Sequence, residues 1–201
     1  MTLTQTRPTT DFAAARRAMI DSQLRVTGVN DPAILARFAA VPREDHVPDS
    51  ARGFAYMDRA IALGGGKHLA APLSHGLMLE EARPELGDRV LLVDGGSGYL
   101  GELIGPLVGS IDIITPAQAA ANLRKKDTYT LVLIDGAITR LSDRLVKSMA
   151  DDARIVTGLV RSGVTRLAVG RKAAGTVALV PRAEIGFPHL PEFDKAESWS
   201  F

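Results

Sequence analysis

The sequence predicts an α/β fold, a Rossmann-like, doubly wound sheet preceded by an N-terminal helical segment. Three short apolar runs, at residues 90–93, 111–115 and 131–135, alternate with stretches of helical character, which is typical of a parallel sheet with covering helices. The first run shows no alternation of polar and apolar residues, as expected of a strand buried on both faces. A glycine-rich turn follows the first run, at the place where open α/β sheets commonly bind ligands.

The N-terminal part, residues 11–85, is expected to be helical throughout. Thr10 or Asp11 can cap a first helix, because apolar residues then recur near helical spacing. Asp31 followed by Pro32 is a start signal for a second helix, with the carboxylate as cap and the proline in the first turn. The predicted helices lie at residues 11–24, 32–40, just after Pro48 and at 72–83, with a break at the three glycines 64–66.

The second part, residues 86–201, carries the predicted sheet. Its closing strands have only short connections, so we expect them to run antiparallel. No linker rich in Pro, Gly or Ser separates the two parts, so residues 11–201 are expected to form one domain after a flexible tail at residues 1–10. After the first strand the predicted elements are a helix at 98–107, a strand at 111–115, a helix at 116–124, a strand at 131–135, a helix at 141–149, and strands at 153–158, 164–170 and 176–184.

Composition narrows the possible function classes. The chain has 24 Lys plus Arg against 23 Asp plus Glu, a net charge of +1, which gives no electrostatic reason to expect nucleic acid as a partner. It has no cysteine, and its four histidines show no ligand spacing, so no metal site is predicted. No apolar stretch is long enough to span a membrane and no secretory signal is visible, so a cytoplasmic location is expected.

The turn after the first strand reads VLLVDGGSGYLG over residues 90–101. Backbone amides in such a turn can approach a ligand closely. Residues 96–101 match the spacing G-x-G-x-x-G of dinucleotide sites, but the acidic residue which that fingerprint requires would fall near Thr115. We therefore keep two cofactor classes open at this point, a dinucleotide and a second class suggested by a longer resemblance.

Residues 91–99 resemble the first motif of class I S-adenosylmethionine-dependent methyltransferases. Upstream segments resemble, in order and spacing, the protein-L-isoaspartate O-methyltransferases, and the chain is similar to the short bacterial branch of that family. The resemblance implies binding of S-adenosylmethionine and methylation of isoaspartyl carboxylates in damaged proteins. It rests on RAMIDSQLR at 17–25, VPRE at 41–44 with VP at 47–48, Tyr56 with Asp58, LGGG at 63–66 with Pro72, LVLIDGA at 131–137 and PHLPEF at 188–193.

Four departures from the family pattern suggest lost chemistry. Asp94 replaces the first motif glycine and Leu92 the acidic residue before it, which predicts crowding and repulsion of the cofactor. Thr115 stands where the family has a carboxylate for the ribose hydroxyls. By comparison with the family pattern, about one strand and an adenine-contacting loop are expected to be missing before residue 129. Ala70 replaces the hydroxyl residue of the acceptor site, so no catalytic residue is predicted.

The sequence therefore favours a catalytically degenerate homologue that binds a protein partner, as an accessory subunit of a larger assembly, and holds no cofactor. An active S-adenosylmethionine-dependent carboxyl methyltransferase is the alternative, and a binder of another small ligand is a third. Asp135 is interpreted either as a residue lining the crevice or as a cap of the next turn. The cofactor site, vestigial in the favoured interpretation, comprises Asp94, Gly95, Gly96, Ser97, Gly98, Thr115 and Asp135.

Overall fold

The computed structural model describes residues 11–121 and 123–194 of the chain. The predicted tail at residues 1–10 and the end of the chain beyond residue 194 lie outside it. The helices are α1 (Phe12–Met19), α2 (Pro32–Ala40), α3 (Pro72–Ala82), α4 (Tyr99–Ile104), α5 (Pro116–Ala121) and α6 (Asp143–Ser148). The strands are β1 (Ile61–Gly64), β2 (Lys67–Leu69), β3 (Arg89–Val93), β4 (Ser110–Ile114), β5 (Tyr129–Ile138), β6 (Met149–Arg161), β7 (Val164–Ala173), β8 (Thr176–Val177) and β9 (Val180–Glu184).

The N-terminal helices begin where their capping residues predict. The Asp11 carboxylate accepts a hydrogen bond of 2.9 Å from the Ala14 amide at the start of α1. Asp31 caps α2 in the same way, with Pro32 in the first turn. Helical geometry continues beyond α1 as a π-helical turn at Ile20–Leu24, so the predicted first helix changes type before it ends.

The expectation of an entirely helical N-terminal part is wrong at one place. Strands β1 and β2 pair antiparallel and form a hairpin over residues 61–69. Gly64, Gly65 and Gly66 have φ values of 86°, 58° and 77°, so the three glycines that looked like a chain break form the reversal of the hairpin.

The main sheet has the strand order β4-β3-β5-β6-β7, and β8 and β9 each pair with β7. The first four of these strands are parallel, and β7 runs antiparallel to β6, as predicted for the closing strands. From α5 the chain reaches β5 through residues 123–128, which contain no strand, so β4 is the edge of the sheet. The predicted shortening by about one strand is thereby confirmed.

Alternate residues of the central strands enter two separate cores. Leu92 of β3 and Leu133 of β5 pack in a cluster with the N-terminal helices α2 and α3. Leu91 and Val132 point to the opposite face and pack against α6. A sheet covered by helices on both faces is the doubly wound architecture, and it explains why the strands read as continuous apolar runs. Among the described residues, none of the helices combines the length and apolar character that crossing a bilayer requires.

Candidate functional site

The glycine loop, residues 94–98, connects β3 to α4 at the carboxyl ends of the parallel strands. It continues the sheet for one residue, because the Asp94 amide donates to the Ile114 carbonyl at 2.9 Å. Gly96 and Gly98 have φ values of 107° and 70°, which other residues rarely adopt. The tight turn predicted from the sequence is therefore present, in the crevice where open α/β sheets bind ligands.

The Asp94 side chain folds back onto its own loop. Its carboxylate accepts hydrogen bonds from the Gly96 amide at 2.9 Å and from the Gly98 amide at 3.1 Å. These are the amides that would otherwise hold an anionic ligand group. A phosphate approaching them would meet a carboxylate in its place, so the loop is poorly suited to the pyrophosphate of a dinucleotide and better suited to a ligand that carries positive charge.

Burial raises the pKa of Asp94 above its ordinary value of 3.8, and the nearby charge of Asp135 raises it further, although the two amide hydrogen bonds oppose the shift. The folded protein therefore binds this proton more tightly than the unfolded chain does. The ionised Asp94 lowers the free energy of unfolding as pH rises from the ordinary value through the folded pKa.

We expect Asp94→Asn to remove this loss of stability. The difference in unfolding free energy, variant minus wild type, is expected to grow as pH rises from about 3 to 7, because only the wild type acquires the unfavourable charge. Urea denaturation at several pH values measures it. A difference that stays constant over this range would contradict the assignment, and the exposed Asp152→Asn serves as a control for a carboxylate away from the loop.

Ser97 and His46 fix the outer side of the glycine loop. The Ser97 hydroxyl accepts from the Tyr99 amide at 3.2 Å, and the Ser97 carbonyl lies 2.9 Å from His46 Nδ1. The other ring nitrogen of His46 is 3.5 Å from Glu102 of α4. Sequence reasoning missed His46, because its separation of 51 residues from Ser97 leaves no local pattern.

Thr115 follows β4 and caps the next helix. Its hydroxyl accepts from the Gln118 amide at 3.2 Å, and the Gln118 side-chain oxygen accepts from the Thr115 amide at 2.9 Å. This reciprocal arrangement is a capping box at the start of α5. Thr115 lies beside the glycine loop at the carboxyl edge of the sheet, and it offers neutral hydrogen-bonding groups there in place of a carboxylate.

Asp135 lies in β5 and is only 2% exposed. Its Oδ1 is 2.8 Å from Nε2 of His75, which lies on α3 and is fully buried. The interpretation of Asp135 as a cap of the following turn is therefore wrong, because its bonded oxygen faces a helix 60 residues away. Among the described residues, Oδ2 of Asp135 and Nδ1 of His75 are buried without a hydrogen-bond partner.

The acceptor-site position, Ala70, is buried beside Arg43. Arg43 is fully buried and donates from Nε to the Ala55 carbonyl at 2.6 Å and from Nη2 to the Ala70 carbonyl at 2.5 Å. Its guanidinium lies over the Tyr99 ring at 5.1 Å, and burial lowers the pKa of Arg43 to about 10. Ala70 thus supports the site through its backbone, and its side chain offers nothing to a substrate.

The β1–β2 hairpin covers part of the glycine loop. The His68 amide donates to the Gly95 carbonyl at 3.1 Å. A carbon added at Gly96 would lie 2.5 Å from the Lys67 stem, so this exposed lysine runs directly across the loop. The structure therefore brings together Asp94, Gly95, Gly96, Ser97, Gly98, Thr115 and Asp135, and it adds His46, Lys67 and His75 to them. Within residues 11–121 and 123–194, His, Asp and Glu side chains form no group of three placed to hold a metal ion.

Comparison with known proteins gives a consistent family. The family model described as protein-L-isoaspartate(D-aspartate) O-methyltransferase matches residues 14–137. A protein-L-isoaspartate O-methyltransferase from Roseiflexus sp. (strain RS-1) is 38% identical over 111 residues, 55% of this chain and 50% of that protein. One from Koribacter versatilis is 28% identical over 191 residues, 83% of this chain and 86% of that protein. The chain spans about half the length of the Roseiflexus protein and of two further relatives, from Rhodopseudomonas palustris and Methylorubrum extorquens.

Solved structures show the same fold. A protein-L-isoaspartate O-methyltransferase from Plasmodium falciparum, solved in complex with S-adenosyl-L-homocysteine, superimposes with a TM-score of 0.72. That superposition covers 92% of this chain and all of the other, at 14% sequence identity. A second protein-L-isoaspartate O-methyltransferase also gives a TM-score of 0.72, covering 87% of this chain and 65% of its own. At these identities the likeness establishes the Rossmann-like methyltransferase fold.

The comparisons contradict the interpretation of the chain as a degenerate accessory subunit. The relatives that we compared are named as methyltransferases, and the alternative of an active enzyme agrees better with them. The structure shows one physical reason for the error. Asp94 was expected to crowd a cofactor, but its carboxylate is bound to the amides of its own loop.

The family model covers well over half of the chain, including the glycine loop, Ala70 and Asp135. This family depends on S-adenosylmethionine and carries the fold that the structure shows. The chain therefore belongs to the protein-L-isoaspartate(D-aspartate) O-methyltransferase family.

Proposed function

We propose that the chain transfers a methyl group from S-adenosylmethionine to the carboxylate of isoaspartyl residues in proteins. The observation that carries the proposal is the glycine loop at the carboxyl end of β3, which keeps the left-handed Gly96 and Gly98 although Asp94 replaces the first motif glycine. The family of the matching model and the names of the relatives supply the reaction and the substrate class.

The charges around the glycine loop are compatible with this cofactor. Its methionine half carries a positively charged ammonium and a positively charged sulfonium. Asp94 lies in the loop, and Asp135 lies behind it in β5. These two carboxylates favour a cation over a phosphate at this position. Thr115 and Gln118 offer neutral hydrogen-bonding groups beside the loop, where the ribose hydroxyls would be held.

The reaction makes few demands on the acceptor side. When bound, the cofactor supplies an electrophilic methyl group on sulfur, and a carboxylate is already ionised near neutral pH. No general base is then needed to remove a proton, so binding and orientation are the main tasks of the protein. The loss of a hydroxyl at Ala70 is consistent with such a site, and the exposed Lys67, whose stem crosses Gly96, can attract the anionic acceptor.

The direct test is methyl transfer to a synthetic isoaspartyl peptide, with the same peptide containing ordinary aspartate as the control. We expect labelled methyl groups on the isoaspartyl peptide alone. No transfer at saturating S-adenosylmethionine, from a protein that is folded by circular dichroism, would contradict the proposed function.

Replacing Asp94 by glycine is expected to weaken cofactor binding. The variant removes a carboxylate beside the positively charged methionine half of the cofactor, and it leaves the Gly96 and Gly98 amides without their internal acceptor. The loss of one charge-assisted interaction corresponds to about a tenfold loss in affinity for S-adenosylmethionine. Isothermal titration calorimetry measures the loss. Equal or tighter binding would show that the Asp94 carboxylate does not favour the cofactor.

A further inference from the structure

A buried hydrogen-bonded pair of side chains lies directly behind the glycine loop. His75 and Asp135 come from α3 and β5, and their side chains are 0% and 1% exposed. The bond between them uses one nitrogen of the imidazole and one oxygen of the carboxylate, at 2.8 Å. Within the described residues, the second oxygen, Oδ2, has no hydrogen-bond partner although it is buried. Burying a carboxylate with only one bonded oxygen costs folding free energy, which indicates a further role for the second oxygen.

The free side of this carboxylate faces the cofactor loop. A carbon added at Gly95 would lie 2.5 Å from the Asp135 carbonyl oxygen and 3.6 Å from Oδ2. The loop backbone therefore rests on Asp135, with no side chain between them. Burial raises the pKa of Asp94 most, and the charge of Asp135 raises it further. The electrostatic field of Asp135 therefore reaches Asp94 in the glycine loop. Asp135 is only 2% exposed, and charges that are buried are screened less by salt than charges on the surface.

We infer that Asp135, held in place by His75, makes the loop prefer the positively charged cofactor over its neutral product. This inference rests on the proposed function. The substrate S-adenosylmethionine carries a sulfonium, whereas S-adenosylhomocysteine carries an uncharged thioether at the same position. A buried carboxylate behind the loop stabilises the first without a matching gain for the second. Asp135 is a specificity-determining residue in this scheme, and His75 is a positioning residue that fixes which oxygen faces the loop.

Such a preference also favours the exchange of product for substrate. Methyl transfer moves a methyl group from the sulfonium to a carboxylate oxygen and leaves a neutral thioether and a neutral ester. Positive charge is lost beside Asp135 in that step, so the product is held less tightly than the substrate was. The protein gains this discrimination without any contact to the transferred methyl group.

The experiment compares the dissociation constants of the two ligands by calorimetry for the wild type and Asp135→Asn. Asparagine keeps an oxygen that can accept from His75 and removes only the charge. We expect the ratio of the two affinities, S-adenosylmethionine over S-adenosylhomocysteine, to fall about tenfold in this variant. Asp152→Asn, an exposed carboxylate near the start of β6, is the matched control and is expected to leave the ratio unchanged.

Two more measurements separate this role from a structural one. His75→Leu is expected to lower the ratio and His75→Gln to restore part of it, because glutamine can again donate to Asp135. In the protein without ligand, Asp135→Asn is expected to lower the pKa of Asp94, which carbon-detected NMR reports directly. A folded Asp135→Asn variant that keeps the wild-type ratio overturns the inference alone. Failure of the wild type to bind either ligand overturns it together with the proposed function.

Discussion

Gly95→Ala is expected to lose about 30- to 100-fold in affinity for S-adenosylhomocysteine while the protein remains folded, a loss of roughly 2–3 kcal/mol. The added carbon would lie 2.5 Å from the Asp135 carbonyl oxygen, closer than real side-chain carbons approach. That oxygen belongs to the backbone of a central strand and cannot move aside, so the loop has to shift outward. A shift of about 1 Å in a site that positions its reactants costs on the order of a hundredfold in rate.

Calorimetry measures the affinity, and the methyl-transfer assay measures the rate. Gly87→Ala is the matched control, because a carbon added there has no neighbour within 4 Å. Its affinity and rate are expected to equal those of the wild type. Wild-type binding by Gly95→Ala would mean that the cofactor does not use this loop, and the proposed function would then need another site.

The second large effect is expected at Arg43. Arg43→Met keeps much of the side-chain volume but leaves the Ala55 and Ala70 carbonyls without their donor. It also removes the guanidinium from the Tyr99 ring. Unsatisfied buried polar groups cost about 1–3 kcal/mol each, so we expect a loss of about 3 kcal/mol in unfolding free energy. For a chain of this size, that corresponds to a fall in Tm of roughly 6–12 °C.

Thermal unfolding by calorimetry tests this expectation. Arg140→Met is the control, because Arg140 is exposed and its replacement is expected to change stability by less than about 0.5 kcal/mol. Arg43→Lys is expected to fall between the two, since an ammonium can satisfy one carbonyl but cannot span both as the planar guanidinium does. Equal stability of the Arg43 and Arg140 variants would show that the buried guanidinium does not hold the hairpin to the core.

The parts of the fold that the sequence predicted well are those with a local physical signal. Asp31 and Pro32 mark the start of α2, because a capping carboxylate and a fixed φ act within one turn. The apolar runs locate β3 and β5, because strands buried on both faces are apolar along most of their length. β4 is only partly buried and carries Asp112, and its isoleucines locate it. The β1–β2 hairpin was missed, since strands of four and three residues are too short to establish a period.

The functional site was predicted only in part. The glycine loop was found, because it is contiguous in sequence and its spacing follows from the turn. The hydrogen bond between His75 and Asp135 joins residues 60 positions apart, so no local pattern reveals it. One signal was available: each is an ionisable residue between uncharged neighbours in an element that packs into the core. The backbone geometry of the loop decides whether the Asp94 side chain crowds a cofactor or accepts hydrogen bonds from its own loop. The sequence alone favoured crowding of the cofactor, and the structure shows the hydrogen bonds.

Within residues 11–121 and 123–194, β4 is an edge strand of the sheet, and this has a consequence for solubility. An unpaired edge strand offers its backbone groups to other chains and so invites aggregation. Asp112 lies in the middle of β4, where it accepts hydrogen bonds from Lys125 at 2.5 Å and from the Tyr129 hydroxyl at 2.6 Å. The Lys125 hydrogen bond lowers the pKa of Asp112, which therefore stays ionised at neutral pH. Pairing two such edges would require stripping water from both ion pairs, so the shortened sheet carries its own protection against edge-to-edge association.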